Sequence, residues 1–296
     1  MTGPVIVGFD GSVSSRRAEA WALSEARLLG VPVQLVSCYE SPTATVAYGY
    51  GGVVPSSLVE DIRAAAEADM KSAVDEAAEH APDVSVSGHV VEGGVAAALL
   101  AQSHDAAMVV LGSRGLGGFR GLLLGSVGQQ VSSHAEVPVV VVRGEADRPV
   151  SGRVVVAVDG SPASREAVAF AFAYAARHGA ALHALHAWEV PVFDAPGVTA
   201  PPSLALEEIG DDEVRLTAES LAGWSERFPE VVVTREVVHG PVERLVVEAS
   251  ANADLLVVGS RGRGGFTGLL LGSVSQAALH HSHCPVAVVR PARTTA

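Results

Sequence analysis

An internal duplication constrains the fold of this chain more than any other feature. Residues 5–12 (VIVGFDGS) return as residues 154–161 (VVVAVDGS), 149 positions later. Residues 112–127 (GSRGLGGFRGLLLGSV) return as residues 259–274 (GSRGRGGFTGLLLGSV), 147 positions later. Because the repeat unit is about half of the 296 residues, it has the size of a whole domain and exceeds that of a solenoid repeat. The sequence therefore predicts a tandem duplication of one domain.

The boundary between the copies is expected in residues 144–152 (GEADRPVSG), a charged segment with Pro and Gly and without apolar periodicity. We expect one domain over residues 1–146 and a second over residues 152–293. Chain length agrees with this division, since about 150 residues per domain gives two domains.

Short apolar runs alternate with helical patterns inside each copy. In the first copy, strands are expected at residues 4–9, 33–39, 84–91, 107–111 and 137–143, and helices at residues 12–29, 59–80 and 94–103 and within 118–133. Strands that alternate with helices imply crossover connections, and hence a parallel sheet. The predicted fold class is α/β, with two tandem Rossmann-like domains, each a five-stranded parallel sheet with helices on both faces. Ligands of such sheets bind at the carboxyl ends of the strands.

Composition excludes several classes of function. With 48% hydrophobic residues the chain is not of the disordered type. Its formal charge is 20 − 33 = −13, which argues against a nucleic-acid partner, because such proteins need a basic surface. The negative charge does not exclude a small phosphate ligand, because backbone N–H groups bind anions without net positive charge.

The two cysteines, Cys38 and Cys284, are far apart and form neither a disulfide framework nor a zinc cluster pattern. This usage is typical of a reducing compartment, so we expect a cytoplasmic protein. The N-terminus lacks a basic region followed by a long apolar stretch, so no secretory signal is expected. Apolar runs stay below the roughly 18–20 residues of a membrane span, so no membrane partner is expected.

The duplicated glycine segment has the pattern Gly-x-x-Gly-x9-Gly-Ser. In the first copy Gly112 ends an apolar strand and permits a turn, and Gly115 keeps the loop low. Gly125 and Ser126 open a helix whose free N–H groups and dipole attract anions. The second copy repeats the spacing at Gly259, Gly262, Gly272 and Ser273.

A tight strand-to-helix turn is the simpler interpretation of one Gly-x-x-Gly. The length of the match, its repetition and its place after a strand favour a polyphosphate site. The segment contains no Lys and is not a P-loop, so P-loop ATP hydrolysis is not supported.

Asp10 and Asp159 each follow the first strand of their copy. Asp-Gly-Ser is good turn chemistry, so either residue can simply close an Asx turn. The functional alternative is a carboxylate at the nucleotide edge. Since it would repel phosphates, it should face ribose or adenine, or share a cation with phosphate oxygens.

The segments VGFDGS, GSRG and LGSV resemble the universal stress protein family, in its ATP-binding branch and in the tandem form common in actinobacteria. The resemblance covers nearly the whole chain twice, and the family's nucleotide marker, Gly-x-x-Gly-x9-Gly-Ser/Thr, is intact in both copies. It implies an adenine nucleotide alpha hydrolase-like fold, two ATP molecules per chain with Mg²⁺, and a nucleotide-responsive role in stress or dormancy.

The resemblance also implies which residues bind. Adenine and ribose would contact Gly8, Phe9, Asp10 and Cys38 in the first copy and Ala157, Val158, Asp159 and Ala187 in the second. Ribose and phosphates would be held by Gly112, Ser113, Arg114, Gly115, Gly125, Ser126 and Val127, and by Gly259, Ser260, Arg261, Gly262, Gly272, Ser273 and Val274. Two differences between the copies stand out. Ala157 in place of Gly8 is expected to be tolerated but to leave less room, and the difference between Arg120 and Thr267 is expected to make the sites unequal in affinity.

No Ser/His/Asp or Cys/His arrangement indicates a catalytic residue, and no metal-ligating residue is predicted, since residues 280–284 (HHSHC) lack a second ligand cluster. Weak ATP hydrolysis or adenylate transfer stays open, as does an ATP-gated interaction scaffold. The resemblance implies pairing of fifth strands, a homodimer and a regulatory protein partner that the sequence does not name.

Overall fold

The computed structural model describes residues 3–40, 55–116, 124–144, 149–190, 203–264 and 270–291. The chain divides into two compact units, Met1–Val142 and Arg143–Ala296. Within the described ranges, each unit contains its own five strands and the helices that cover them. The predicted α/β class is confirmed in both units.

The first unit is built on parallel strands. They are β1 (Val5–Gly8), β2 (Val33–Tyr39), β3 (Val86–Glu92), β4 (Met108–Gly112) and β5 (Val139–Val142). The helices between them are α1 (Val13–Leu29), α2 (Ser56–His80), α3 (Val95–Gln102) and α4 (Ser126–His134). The spatial order is β3-β2-β1-β4-β5, and every pair is parallel.

The second unit repeats this plan. Its strands are β6 (Arg153–Ala157), β7 (Ala181–Trp188), β8 (Val233–His239), β9 (Leu255–Gly259) and β10 (Val286–Val289). Its helices are α5 (Pro162–His178), α6 (Ser203–Leu221), α7 (Trp224–Arg227), α8 (Val242–Ala249) and α9 (Ser273–His281), with a 3₁₀ turn at Ser250–Asn252. The order β10-β9-β6-β7-β8 matches that of the first unit.

The strand order reverses direction beside the first strand of each unit. From β1 the chain moves to β2 on one side, and after β3 it returns to β4 on the other side. The carboxyl ends of β1 and β4 therefore flank the switch point, where open α/β sheets bind their ligands. Asp10 and Gly112 lie at these two ends.

Local chemistry explains where the first helix of each unit begins. The central strands are continuous apolar runs because helices bury both faces of the sheet. Ser12 then caps α1 by accepting the N–H of Ser15, and Ser161 caps α5 by accepting that of Ser164, each at 3.1 Å. Both helices end at a glycine in the left-handed region.

The units differ most in the helix after their second strand. α2 is one continuous helix, whereas its counterpart is divided into α6 and α7 at Gly223, whose φ is +77°. Trp224 and Phe228 of the short second part stack on Phe172, with ring centroids 5.7 and 5.9 Å away. Among the described helices, none is both long enough and apolar enough to cross a membrane.

Candidate functional site

Asp10 connects the end of β1 to the glycine segment. Its Oδ1 accepts the N–H of Ser12 at 3.0 Å, and its Oδ2 accepts the N–H of Leu116 at 2.8 Å. A Cβ added at Gly115 would lie 2.5 Å from that Oδ2. Glycine is therefore required at 115 for the loop to approach the carboxylate. Asp10 closes an Asx turn and also holds the loop that follows β4.

The second unit repeats the contact in detail. Asp159 accepts the N–H of Ser161 at 2.9 Å and that of Arg263 at 3.0 Å, and a Cβ at Gly262 would lie 2.5 Å from its Oδ2. The duplication thus extends from sequence to individual hydrogen bonds.

Charge at Asp10 is favoured by these donors. Burial raises the pKa of the Asp10 carboxyl, but hydrogen bonds from Ser12, Leu116 and Ser15 outweigh that effect and leave its pKa below the ordinary value. The carboxylate is therefore ionised at neutral pH and holds the loop in that form.

Gly112 is needed for a reason other than the expected turn. Its φ is not in the left-handed region, but a Cβ there would lie 2.6 Å from the backbone carbon of Ser14. At Gly259 a Cβ would lie 2.9 Å from the backbone carbon of Ala163. These glycines let α1 and α5 pack directly against the ends of β4 and β9.

The end of the glycine segment leads into a helix whose first turn has no side-chain cap. Gly125 donates its N–H to the carbonyl of Ser113 at 3.0 Å, and Leu124 before it is buried. No side chain caps α4 at Gly125, so the N–H groups of its first turn are available to an anion. The same holds for α9 at Gly272, whose N–H contacts the carbonyl of Ser260 at 2.9 Å.

Four of the side chains predicted to lie near phosphate are at the surface. Arg114, Arg261, Ser126 and Ser273 are exposed. The half-buried residues of this group are Gly112, Ser113, Gly125, Val127, Gly259, Gly272 and Val274. Ser260 is buried.

A cavity of about 510 Å³ lies in the first unit between the ends of β1 and β2 and the face of α2. The predicted residues Phe9, Asp10 and Cys38 line it together with Leu116. α2 contributes apolar residues (Ala66, Met70 and Ala73) and polar ones (Asp69, Ser72 and Glu76). The predicted phosphate-side glycines do not line this cavity. The Asp10–Leu116 hydrogen bond connects the cavity to the glycine segment.

The position of Gly8 differs from what the sequence suggested. A Cβ at Gly8 would meet Leu111 at 2.6 Å and Leu99 at 3.2 Å, so it points into the core beside α3 and not toward the cavity. The second unit has Val258 and Val246 at the two leucine positions and Ala157 at the glycine position. Smaller core residues thus accommodate the methyl group, and the expected loss of room at the site is wrong.

Residues that the sequence reasoning missed include Ser15 and Ser164. The backbone N–H of Asp10 contacts the Oγ of Ser15 at 3.4 Å, and that of Asp159 contacts the Oγ of Ser164 at 3.0 Å. Their recurrence at the 149-residue offset was the signal that could have identified them.

The expected difference between Arg120 and Thr267 lies outside the described residues. Among the residues that are described, no group of three or more His, Cys, Asp or Glu side chains is placed to hold a metal ion. Residues 280–284, the His-rich segment, are among these described residues and form no such group.

Comparison with known proteins identifies relatives over both halves. The model of the universal stress protein family matches residues 1–143 and again residues 151–290. A universal stress protein of Mycobacterium tuberculosis H37Rv is 36% identical over 297 residues, covering 98% of this chain and 97% of that protein. One of Mycolicibacterium smegmatis is 39% identical over 290 residues, covering 97% of each.

Structural comparison agrees at the level of the fold. The crystal structure of a universal stress protein from Archaeoglobus fulgidus superposes with a TM-score of 0.67 at 21% identity, covering 97% of this chain and 98% of that one. The resemblance stated from the sequence motifs is confirmed by the sequence matches, which extend over almost the full length. This chain therefore belongs to the universal stress protein family and carries two domains of that family in tandem.

Proposed function

We propose that each domain binds one adenine nucleotide, with ATP as the ligand, and that the chain acts as a nucleotide-responsive regulator. One observation carries the proposal. In both halves a strand end, a glycine segment held by an aspartate and a helix N-terminus without a side-chain cap occur with the same hydrogen bonds. An arrangement preserved through a duplication to this level of detail is typical of a ligand site.

Phosphates would lie at the N-termini of α4 and α9. The first-turn N–H groups and the helix dipole attract anions there, and the hydroxyls of Ser126 and Ser273 add donors. This mode of binding suits a chain of net charge −13, because the attraction comes from oriented backbone groups. Arg114 and Arg261 are exposed on the same loops and would contribute positive charge.

The base would occupy the cavity of the first unit. About 510 Å³ is within the usual range for small-molecule sites, and Phe9 and Met70 supply apolar surface. Cys38 and Asp10 supply polar atoms, and Asp10 also accepts the N–H of Leu116 in the glycine segment.

Mg²⁺ would arrive bound to the nucleotide. Both carboxylate oxygens of Asp10 accept backbone N–H groups, and the described residues form no cluster that could ligate a metal ion on its own. Mg²⁺ usually binds substrate phosphates and keeps several waters, so a dedicated protein cage is not required.

Binding without catalysis is the activity that these groups favour. Asp10 and Asp159 are the carboxylates attached to the glycine segments, and each already accepts two backbone N–H groups. A carboxylate engaged in this way is a poor general base for water. We therefore propose at most weak ATP hydrolysis.

The remaining expectations form part of the same proposal. We propose a cytoplasmic homodimer that presents its nucleotide state to a protein partner. Light scattering tests the dimer, and a pull-down compared with and without ATP tests the partner.

Gly125→Val with Gly272→Val tests the phosphate site directly. Among the described residues, a Cβ at Gly125 has no neighbour closer than 3.8 Å and one at Gly272 none closer than 3.4 Å, so neither new Cβ meets a clash there. The side chain would occupy phosphate space, and we expect at least about tenfold weaker ATP binding by calorimetry.

Gly94→Val is the matched control. Gly94 is also a helix N-cap in extended backbone, with φ −74° and ψ 124°, and its Cβ would meet nothing within 4 Å. We expect unchanged ATP affinity in this variant. Equal affinity in the double variant and the wild type, or no binding heat in nucleotide-free wild type, would refute the proposal.

A further inference from the structure

The two domains present equivalent backbone positions at the base side of the site. Phe9 donates its N–H to the carbonyl of Val36 at 2.9 Å, and Val158 donates to that of Leu185 at 2.9 Å. The next residue on each second strand is Ser37 in the first domain and His186 in the second. Side chains at these positions can therefore be compared directly.

In the first domain this region is open. Ser37 and Cys38 line the cavity, and a Cβ placed on Gly11 would meet none of the described residues within 4 Å. Leu116, which follows the second glycine of the segment, has 76% of its surface exposed.

In the second domain side chains fill the corresponding space. A Cβ placed on Gly160 would lie 3.1 Å from Nη2 of Arg263 and 3.2 Å from Cδ1 of Leu216. Arg263 is the residue that replaces Leu116 in the duplicated segment, and Leu216 lies on α6, the counterpart of α2. The same backbone corner that is free in the first domain is covered in the second.

A chain of polar contacts holds these side chains. His186 is buried, with Nδ1 2.5 Å from the carbonyl oxygen of Val158 and Nε2 2.7 Å from Oε2 of Glu213. Arg263 places Nη1 3.7 Å from the same Glu213 oxygen. The contacts run from β7 through α6 to the glycine segment. The duplicated positions on β2, α2 and the first glycine segment hold Ser37, Ala66 and Leu116, none of which is a like residue.

We propose that His186, Glu213, Leu216 and Arg263 form a latch over the base side of the second site, so that the two domains bind adenine nucleotide unequally and the first domain binds more tightly. This rests on the function proposed above. A nucleotide can enter the second site only after Arg263 and Leu216 move, and the closed population reduces the apparent affinity in proportion. We expect the second site to be at least about tenfold weaker, a difference that corresponds to about 1.4 kcal/mol.

Glu213→Ala with Arg263→Leu removes the polar part of the latch and gives the segment the leucine that the first domain has. ATP titration of the nucleotide-free wild type by calorimetry should resolve a tight and a weak class of site. In the double variant the weak class should gain at least about fivefold in affinity, while the tight class stays unchanged. The single variant Arg263→Leu, at a half-exposed side chain, should shift the weak class in the same direction if the double variant folds poorly.

Arg244→Leu with Glu248→Ala is the matched control. These residues form an exposed i,i+4 pair on α8 of the same domain, with Nε 2.6 Å from Oε1, so the change in residue types and charge is identical. Both affinities should remain at their wild-type values.

Alkylation of Cys38 assigns the tight class to the first domain. Cys38 lines the cavity, whereas Cys284 is 1% exposed and should react only on unfolding. ATP should protect Cys38 from alkylation, and intact-mass spectrometry measures the extent of protection. The ATP concentration that gives half-maximal protection should equal the dissociation constant of the tight class.

The outcomes separate the two proposals. Absence of binding heat and of Cys38 protection in the wild type would refute nucleotide binding itself. Three other outcomes would refute the latch and leave nucleotide binding intact. Both sites could bind with one affinity, or ATP could protect Cys38 only at the dissociation constant of the weak class. The third is a weak class whose affinity is unchanged in both variants that carry Arg263→Leu.

Discussion

Asp10 and Asp159 show how one side chain can connect two segments distant in sequence. Each accepts one N–H from the turn beside it and one from the glycine segment more than a hundred residues later. The glycine that precedes the second donor allows the approach, because a Cβ there would lie 2.5 Å from the carboxylate.

Asp10→Asn should destabilise the first domain. An amide can accept one of the two N–H groups, but its NH₂ would then face the other donor. We expect a loss of about 1 kcal/mol in the free energy of unfolding at pH 7, measured by urea denaturation, since the site is exposed to solvent. Because the pKa of Asp10 lies below its ordinary value, its contribution is present above about pH 4 and is lost as pH falls through the folded-state pKa.

Asp61→Asn on the exposed face of α2 makes the same charge change and should leave stability within about 0.5 kcal/mol of wild type. The two variants should converge once the pH falls below the folded-state pKa of Asp10. A difference between them that persists unchanged at that pH would contradict the assignment of the effect to the carboxylate.

Sequence patterns predicted which segments form strands and helices, but they did not predict how these elements pack against one another. The run at 33–39 predicted β2 with its observed bounds, because this mainly apolar stretch lies between turn-forming residues. The break at Gly223 was not predicted, since it depends on Trp224 and Phe228 reaching Phe172, a contact that no local pattern records. The function of Gly112 was also missed, because it depends on where α1 lies.

Gly112→Ala should weaken the packing of α1 on β4. The new methyl group would lie 2.6 Å from the backbone of Ser14, which can move only if the helix shifts. We expect a loss of about 1–3 kcal/mol in the free energy of unfolding, measured by thermal denaturation.

Gly125→Ala serves as the comparison, because its methyl group would have no neighbour closer than 3.8 Å. Its melting temperature should stay near that of the wild type. Equal stability of the two variants would mean that α1 adjusts without cost. Because a substitution at Gly112 would disturb the packing of α1, Gly112 is a poor position at which to test ligand binding.

For the molecule as a whole, the duplication was the most informative property of the sequence. It predicted one fold used twice. The aspartate contacts with the glycine segments, and those with Ser15 and Ser164, occur at equivalent positions of the two copies. What the duplication could not predict is where the copies differ in three dimensions. His186 belongs to no motif in the sequence, because its contact with Glu213 joins a strand to a helix at a spacing that no local pattern records.

Net charge leads to a prediction at the same scale. With a formal charge of −13, the chain should not bind duplex DNA, because it lacks the excess of Lys and Arg that releases counterions from phosphates. We expect no shift of a 30-base-pair duplex in a mobility assay at 50 mM salt and micromolar protein. A shift that weakens steeply as salt rises would reveal a local basic surface and contradict this prediction.

The hydrogen bond from Leu116 to Asp10 has a kinetic consequence. It holds this part of the glycine segment in place before any ligand arrives, so the conformational entropy of that backbone is lost during folding and not during association. A nucleotide that meets a segment already in position needs no slow ordering step, and its association rate should approach that of a simple diffusional encounter with a small site. Differences in nucleotide affinity between variants of this site would then lie mainly in the dissociation rate.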